Sequence, residues 1–300
     1  MRRGLSVLLC LALHAWIALA VPAQSPSDLE LEGLPIEAEP DVGDLRFQFE
    51  GLDLAGREEE EQQFSLLERI GGDLRNFYDA PTLGLIGVGV AGHALVSNTN
   101  ADEWARAEYQ EQIRSIGTDE VSEFVHGNKF FGEGTYVLPV FAAATLAGLP
   151  FDRDSSGGRV GEWGERSLRA VLVGGPPMLG LQYALGSSRP GELDSASHWE
   201  PFKDTNAVSG HAFMGSIGFL SAAKMTDRPG LKALLYAGST LPALSRINDD
   251  DHYASQVVLG WGLAYLAVSA VDDTYREERP YRLLPGPVGD GLGVNVMFEY

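Results

Sequence analysis

Val208-Ser209-Gly210-His211 is the stretch that decides the fold, because it stands directly before an apolar run, Ala212 to Ala223, of helical character. Serine is a strong N-cap residue, since its hydroxyl accepts a hydrogen bond from a free amide of the first turn. Glycine at the next position lets a ligand approach the backbone. Free amides at a helix start bind oxyanions, and the helix dipole assists them. The stretch therefore predicts a helix that begins at an anion-binding site, unless it is only an ordinary capped helix with an incidental histidine.

Two further stretches contain candidate site residues. Ser245-Arg246 is followed by His252 and Gln256, which share a face if both lie on one helix. The amide oxygen of Gln256 can then accept a hydrogen bond from a ring nitrogen of His252 and fix its tautomer. Upstream, Arg189-Pro190 closes an apolar stretch. Because arginine forks bind phosphate oxygens and histidines act as nucleophiles and acids, the three stretches together indicate a phosphoryl-transfer site.

The acidic residues of the chain point away from two classes of function. A net charge of −20 disfavours nucleic acid as a partner, since nucleic acids bind clustered lysine and arginine. The run Asp249-Asp250-Asp251 could suggest a metal, but consecutive side chains point in different directions and no second ligand cluster is evident. We interpret the run as a solvated loop or a helix cap, and we expect neither a metal nor a cofactor.

The first 63 residues have the composition of an export signal and a disordered leader. Residues 1–20 combine Arg2 and Arg3, an apolar core and the small-residue site Ala18-Leu19-Ala20, which is typical of a cleaved signal peptide. Residues 21–63 are rich in acids and prolines and poor in branched apolar residues, which predicts disorder. Cys10 is the only cysteine and lies within the signal, so no disulfide can stabilise the mature chain. We expect an exported protein, periplasmic or extracellular.

The remaining chain is predicted to be an all-α helical bundle at residues 64–275, followed by a C-terminal tail at 276–300. Its apolar stretches are long for strands and rich in alanine, glycine and leucine, which favours buried helices that pack through small residues. These stretches are Leu83 to Val96, Tyr136 to Leu149, Val171 to Leu185, Ala212 to Ala223, Leu231 to Leu244 and Val257 to Val271. In the tail, Val294, Val296 and Phe298 alternate with polar residues, as in a short strand or extended segment.

The apolar stretches leave the relation to membranes open. A transmembrane helix needs about 20 consecutive apolar residues. The stretches are shorter, Pro139 and Pro176-Pro177 interrupt two of them, and the mean hydropathy of the chain is −0.06. The sequence therefore favours a soluble protein, with membrane association as the alternative.

The order and spacing of the three stretches resemble the type 2 phosphatidic acid phosphatase (PAP2) superfamily, which includes bacterial acid phosphatases and vanadium haloperoxidases. The signature of that superfamily is Lys, six residues, Arg-Pro; then Pro-Ser-Gly-His; then Ser-Arg, five residues, His, three residues, Asp. The first block matches at Arg189 and Pro190, the second at Ser209-Gly210-His211, and the third at Ser245-Arg246 and His252. The resemblance covers residues 167–271, about a third of the chain, and three ordered blocks are a specific signal.

The resemblance implies a role for each matching residue. His252 would be the nucleophile that takes the phosphoryl group, and His211 the general acid. Arg189, Arg246, the Ser209 hydroxyl and the Gly210 amide would hold the phosphoryl oxygens. The implied activity is that of an exported, metal-independent phosphatase that acts on a phosphomonoester, a lipid phosphate or a prenyl pyrophosphate.

Two departures from the signature concern charged residues. The lysine of the first block falls on Gln182, which can donate a hydrogen bond but brings no charge. Lys203, between the first two blocks, could in principle replace the missing cation, but its position in the sequence does not predict the direction of its side chain. The aspartate of the third block falls on Gln256, so an imidazolium at His252 would lack a carboxylate partner. Val208 in place of the proline changes only the entry to the helix. The two glutamines favour, as an alternative, a catalytically impaired phosphate-binding pseudoenzyme.

Two more interpretations stay open from the sequence. A vanadate-dependent haloperoxidase would bind vanadate at the same arginines and helix start, with His252 as the axial ligand. A plain helical envelope protein would carry the motifs by accident.

Like charges from the arginines should lower the basicity of the buried histidines and favour activity at mildly acidic pH. The walls of a substrate pocket are expected from the region Phe124 to Tyr136, or from Trp163 and Trp199.

Overall fold

The computed structural model describes residues 65–153, 155–192, 196–277, 281–288 and 291–298. The predicted signal peptide (1–20) and acidic leader (21–63) lie outside these residues.

The described chain is a helical bundle, as predicted. Its helices, in chain order, are α1 (Leu66–Phe77), α2 (Ala80–Ser97), α3 (Ala101–Glu108), α4 (Asp119–Gly127), α5 (Gly134–Gly148), α6 (Ser156–Leu185), α7 (Gly210–Lys224), α8 (Pro229–Asn248) and α9 (Ala254–Glu277). One π-helical segment, Tyr109–Ile113, and two 3₁₀ segments, Ile116–Thr118 and Asn128–Gly132, connect the helices α3, α4 and α5.

The core is formed around α7 and α9, which both begin at the candidate site. The six apolar stretches lie in helices, as predicted, except that Leu149 follows the last residue of α5. Phe213, Ile217 and Leu220 of α7 are fully buried, and most of α9 from Ser255 to Val271 is buried as well. Helix α7 packs against α6, α8 and α9, so the two motif-bearing loops before α7 and α9 are held on a rigid centre.

The prediction of burial is wrong for two of the apolar stretches. In α2 only His93 and Ser97 are buried, and in α5 only Phe141 and Gly148 are. Leu83, Leu95 and Leu146 are among the side chains that face outward. Both helices carry apolar residues on every face. Their sequences therefore indicate an apolar environment but do not distinguish a protein core from lipid.

Two described helices are long and apolar enough to cross a membrane. They are Ala80–Ser97, which is mostly exposed in the bundle, and Ala254–Glu277, which is mostly buried. A third span is formed if Asp119–Gly132 and Gly134–Gly148, bent by 62° at their junction, are counted as one. These helices support membrane association, the alternative that the sequence left open.

A cluster of buried ion pairs closes the end of the bundle away from the motif loops. Arg169 of α6 donates to both carboxylate oxygens of Asp73 in α1, at 2.6 and 2.7 Å. Arg166 bonds Asp272 of α9 at 3.0 Å. Asp272 lies sixteen residues beyond Gln256 on α9, which is about 24 Å along the axis. The polar cluster and the motif loops therefore lie at opposite ends of an apolar layer.

Two glycines permit the close approach that forms the motif end. A Cβ on Gly260 of α9 would lie 2.4 Å from the carbonyl oxygen of Ser209 and 3.3 Å from Ala212. Gly186 ends α6 with φ of +61°, and a Cβ there would lie 2.0 Å from the Glu200 carbonyl oxygen. The start of α7 therefore lies directly against Gly260.

The C-terminal tail forms a two-stranded antiparallel sheet. Strands β1 (Tyr281–Val288) and β2 (Gly291–Phe298) pair from Tyr281 opposite Phe298 to Val288 opposite Gly291. The predicted extended segment at residues 294–298 is confirmed, whereas its partner strand, which contains Pro285 and Pro287, was not predicted. Proline cannot donate to the ladder and is therefore a weak signal of a strand.

Gly260→Ala should destabilise the protein by about 2 kcal/mol, because the new methyl group collides with the backbone at Ser209. The measurement is the thermal unfolding midpoint of the purified chain. Gly71→Ala is the matched control, since nothing lies within 4 Å of a Cβ at that helical position and alanine is the better helix former. Equal midpoints for the two variants would contradict the close approach.

Candidate active site

Ser209 caps the start of α7, as predicted. It has an extended backbone, and its hydroxyl accepts a hydrogen bond from the Ala212 amide at 3.3 Å. Gly210 is the first residue of the helix. A Cβ at this position would lie 3.6 Å from the side-chain nitrogen of Gln182. The amides of the first turn thus open toward the loops that carry the other two motif blocks.

The side chain and backbone of Gln256 join all three blocks. The Gln256 carbonyl oxygen accepts from the Ser209 amide at 3.0 Å, and its side-chain nitrogen donates to the Ser188 carbonyl at 2.8 Å. Its side-chain oxygen accepts from Nδ1 of His252 at 2.8 Å and from the Tyr253 amide at 3.2 Å. Gln256 is fully buried, so each of these bonds is protected from water.

These contacts define the tautomer of His252. The Tyr253 amide can only donate and the Ser188 carbonyl can only accept, so the orientation of the Gln256 amide is fixed by its two backbone partners. Nδ1 of His252 must then carry the proton, and Nε2 keeps its lone pair. The predicted His252–Gln256 hydrogen bond is confirmed, but His252 lies two residues before α9 rather than on it, and Gln256 reaches back to the helix start.

Arg246 is a buried cation with an unused donor. It lies at the end of α8, is 7% exposed, and its Nη2 donates to Asp251 at 2.5 Å. Its Nε is buried and has no hydrogen-bond partner among the described residues. Because a buried unpaired donor is costly, an oxyanion at this position would complete the coordination of Arg246.

Arg189 lies on the exposed side of the site. Its Nε donates to Asn206 at 2.7 Å, and its backbone amide donates to Glu192 at 2.7 Å. Asn206 was not predicted, since nothing in the sequence marks a single asparagine in the loop between two blocks. It orients the guanidinium that the resemblance assigns to phosphate binding.

The side chain of Gln182 links the first block to the second by a hydrogen bond and brings no charge in place of the missing lysine. Its side-chain nitrogen donates to the Val208 carbonyl at 2.6 Å. Lys203, considered above as a replacement for the missing lysine, is 75% exposed and pairs with Glu200 at 3.8 Å. The two glutamines thus share one feature, since each amide donates to a backbone carbonyl of another block.

His211 has a carboxylate partner that the sequence did not reveal. Its Nε2 lies 3.0 Å from Oε1 of Glu133, which precedes α5. Both side chains are partly exposed, at 30% and 44%. Gly132 makes the contact possible, because a Cβ there would lie 2.7 Å from the His211 carbonyl oxygen. A glutamate 78 residues upstream of its partner leaves no local signal in the sequence.

The pKa of His252 is strongly lowered. Burial lowers it to about 3, and the charges of Arg189, Arg246 and His211 add to the effect, while the hydrogen bond to Gln256 opposes it. The predicted direction is confirmed, although desolvation rather than like-charge repulsion is the largest cause. The His252 ring is therefore neutral at physiological pH.

Of the two interpretations of Asp249-Asp250-Asp251, the helix cap is confirmed for Asp249, which caps the C-terminal end of α8, and the solvated loop is wrong. Asp249 contacts His126 of α4 at 2.8 Å, and Asp250 bonds Arg106 of α3 through both carboxylate oxygens, at 2.5 and 2.6 Å. Asp251 pairs with Arg246, as described above. Consecutive side chains do point in different directions, but each one reaches a different basic partner. The run fastens α3, α4 and α8 around the loop that carries His252.

A second buried hydrogen-bond network connects α2, α3 and α9 to the residues just before Arg189. Ser255 donates to Asp102 through its hydroxyl at 2.5 Å and lies 2.9 Å from Nδ1 of His93. The other ring nitrogen of His93 lies 3.4 Å from the hydroxyl of Ser187, two residues before Arg189. Trp199, expected as a pocket wall, instead packs near the His93 ring, at 5.9 Å between centroids. The network attaches the last turn of α2 to the site.

Among residues 65–277 with their short gaps, and in the two strands, no group of three or more His, Cys, Asp or Glu is arranged to hold a metal ion.

Comparison with known proteins gives one structural likeness. No family model matches the chain, and no curated protein matches it. A solved structure that does match is the crystal structure of a transmembrane PAP2-type phosphatidylglycerolphosphate phosphatase from Bacillus subtilis, at 15% sequence identity and a TM-score of 0.38. The match covers 71% of this chain and 94% of that one.

The lowered pKa of His252 should make the stability of the protein fall in acid. The unfolded histidine titrates near 6.5, so between that pH and about 3 the unfolded chain binds a proton that the folded chain does not. The stabilisation is complete above pH 6.5 and is lost as the pH falls toward 3. Thermal unfolding of wild type and His252→Asn, compared from pH 7 to pH 4, should show the larger loss in the wild type. Parallel curves would contradict the shift.

Proposed function

We propose that the chain is a phosphatase in which His252 attacks phosphorus and forms a phosphohistidine intermediate. The observation that carries the proposal is the hydrogen-bond arrangement at Gln256, which leaves Nε2 of a neutral, buried His252 unprotonated. A neutral imidazole with a free lone pair is a competent nucleophile. The proposal also agrees with the resemblance to the PAP2 superfamily.

The phosphoryl oxygens are proposed to lie between two arginines and the start of α7. Arg246 offers its unpartnered Nε, and Arg189 extends from the opposite loop. The Gly210 amide and the Ser209 hydroxyl complete the cradle at the positive end of the helix dipole. Positioning and charge stabilisation are the main requirements of phosphoryl transfer, and these groups supply both without assistance from a metal or cofactor.

The proposed reaction has two steps. Nε2 of His252 attacks phosphorus while His211 gives its proton to the leaving oxygen, so that an alcohol departs as the P–O bond breaks. Water then attacks the phosphohistidine, His211 takes a proton from it, and the P–N bond breaks to release inorganic phosphate and neutral His252. Glu133 is proposed to hold His211 in position and to stabilise its protonated form.

The missing aspartate at position 256 has a defined consequence. The positive charge that develops on His252 during attack meets the amide oxygen of Gln256 rather than a carboxylate. The amide keeps the orientation of the ring but stabilises the charge less, so the proposed enzyme is slower than one with an aspartate. The apolar helices α2 and α9 favour a protein attached to a membrane. We further propose that the chain is exported from the cytoplasm.

The proposal is tested by phosphate release from a panel of soluble and lipid phosphates. His252→Ala should lower kcat by about 10³-fold or more, since it removes the nucleophile. His198→Ala is the matched control, because His198 lies outside the proposed set. Rapid quenching should also trap phosphate on His252, detectable by mass.

Two outcomes contradict the proposal. No release from any member of the panel, with phosphate or vanadate still binding, indicates the pseudoenzyme. Bromide oxidation that needs added vanadate, without phosphate release, indicates the haloperoxidase.

The role of His211 is tested by varying the leaving group. Protonation matters most for a poor leaving group, so His211→Asn should slow an alkyl phosphate by about 10³-fold and p-nitrophenyl phosphate by only about 10-fold. Glu133→Gln should show the same trend with smaller losses. Equal losses on both substrates would show that His211 acts in binding rather than as an acid.

A further inference from the structure

One polar face of segment 102–114, which comprises most of α3 and the π-helical turn after it, lies along the loop that carries His252. The contacting positions are separated mainly by three, four or seven residues, as on one face of a helix. The two chains run in opposite directions, so the contacts follow one another in reverse order. They join Asp102 to Ser255, Glu103 to Tyr253, Arg106 to Asp250, Tyr109 to Asn248, and Gln110 to the Ile247 carbonyl.

Both ends of this loop are bound at the ends of helices. Asp102 is fully buried and accepts from the Ser255 amide at 3.1 Å and from the Ser255 hydroxyl at 2.5 Å, in the first turn of α9. At the other end, Gln110 and Arg114 donate to the last two carbonyls of α8, at 2.8 and 3.1 Å. The first amides and last carbonyls of a helix have no partners within it, so segment 102–114 supplies partners at both places.

Between these ends the loop turns at Asp250, which has a left-handed backbone with φ of +60°. The Asp250 amide donates to the Ile247 carbonyl at 3.2 Å, and the Asp251 amide donates to the Arg246 carbonyl at 2.9 Å. In this way of ending a helix the left-handed residue is usually glycine, because glycine has no Cβ to collide with the backbone. The His252 amide also donates to the Arg246 carbonyl, at 3.2 Å, so the turn directly determines where His252 lies.

An ion pair holds the Asp250 side chain against α3. Nε and Nη2 of Arg106 donate to its two carboxylate oxygens, at 2.6 and 2.5 Å, and the two side chains are 33% and 32% exposed. The pair needs a carboxylate where the backbone favours glycine, and a strained residue persists only where its surroundings determine it. Arg106 also lies 3.7 Å from Glu103, which accepts from the Tyr253 hydroxyl. His252 therefore lies between two residues that α3 holds.

We propose that segment 102–114 positions His252 for attack, and that Arg106 is the positioning residue on which this depends most. The inference rests on the proposed function and adds to it a residue that acts on the nucleophile through Asp250. Arg189 and the start of α7, which are proposed to bind the phosphoryl oxygens, are held instead by Asn206 and Gln256. A shift of His252 should therefore slow the chemical step far more than it weakens phosphate binding.

Asp250→Gly separates the position of His252 from the stability of the chain. Glycine adopts the left-handed backbone without strain, so the thermal unfolding midpoint should stay within about 3 °C of the wild type although the ion pair is lost. Without the pair His252 should leave its alignment with phosphorus, which should lower kcat about 30-fold and change KM less than about 2-fold.

Arg106→Ala should give the same division between kcat and KM, and the double variant should be no slower than either single one, because both changes remove the same contact. Arg106→Lys keeps the charge but cannot form two parallel bonds, so it should recover only part of the rate. Arg276→Ala is the matched control. It removes an arginine bonded to Asp272 at 3.1 Å, near the other end of α9, and should follow the wild type.

Vanadate reports the position of His252 without turnover. It can form a bond to Nε2 of a histidine, whereas inorganic phosphate binds through its oxygens alone. Measured by titration calorimetry, Asp250→Gly and Arg106→Ala should weaken vanadate binding about 10-fold and phosphate binding less than about 2-fold.

NMR of protein labelled at its histidines follows His252 with no ligand present. Its Nδ1 proton is hydrogen-bonded to Gln256 at 2.8 Å, so its signal depends on the position of the ring. The signal should shift in Asp250→Gly and Arg106→Ala and stay unchanged in Arg276→Ala.

The outcomes separate the positioning of His252 from the chemistry. An unchanged His252 signal with a wild-type kcat in Arg106→Ala would overturn the inference. Losses of kcat that follow the unfolding midpoint, or that are matched by equal losses of phosphate affinity, would also overturn it, since they indicate a role in stability alone. A shifted His252 signal in a chain that hydrolyses no phosphate ester would overturn the proposed phosphatase and leave the positioning role in place.

Discussion

The site depends on one buried amide. The side chain and backbone of Gln256 make hydrogen bonds to Ser188, Ser209, His252 and Tyr253, and these residues come from all three sequence blocks. If the amide were replaced by an apolar group, the Ser188 carbonyl and the Tyr253 amide would each lose a buried hydrogen bond, which is costly. An aspartate would be too short to reach Ser188 and would offer it no donor. The glutamine is thus fitted to this loop, and its neutrality is linked to the way the loop is held.

Charge is distributed in two layers around the site. The inner layer consists of the cations Arg189 and Arg246 together with His211 and the neutral His252. The acidic partners lie behind it, where Glu133 contacts His211 and the aspartates 249–251 contact basic groups on α3, α4 and α8. Because Glu133, Asp251 and Asn206 hold the side chains of His211, Arg246 and Arg189 by hydrogen bonds, these three side chains keep their orientation when no anion is bound. An anion bound there would therefore meet side chains that are already oriented.

Local chemistry explains what could be predicted from the sequence. The cap at Ser209 and the contact between His252 and Gln256 follow from residues within four positions of each other, and the helices follow from uninterrupted apolar runs. Glu133 could not be predicted, because its contact with His211 depends on how α5 packs against α7. The outward orientation of α2 was missed for a related reason. A helix that is apolar on every side has no face that distinguishes a protein core from a lipid phase.

The low basicity of His252 gives the site a thermodynamic coupling between anion and proton. The positive charges of Arg189 and Arg246 contribute to that low basicity, and an anion bound between them offsets their effect on the ring. Each bound anion therefore makes a proton on His252 easier to accept, and by reciprocity each proton strengthens the anion complex. Inorganic phosphate should accordingly be held more tightly in acid than at neutral pH, so that the pH of the surrounding solution would set how long a phosphate ion stays bound between the two arginines.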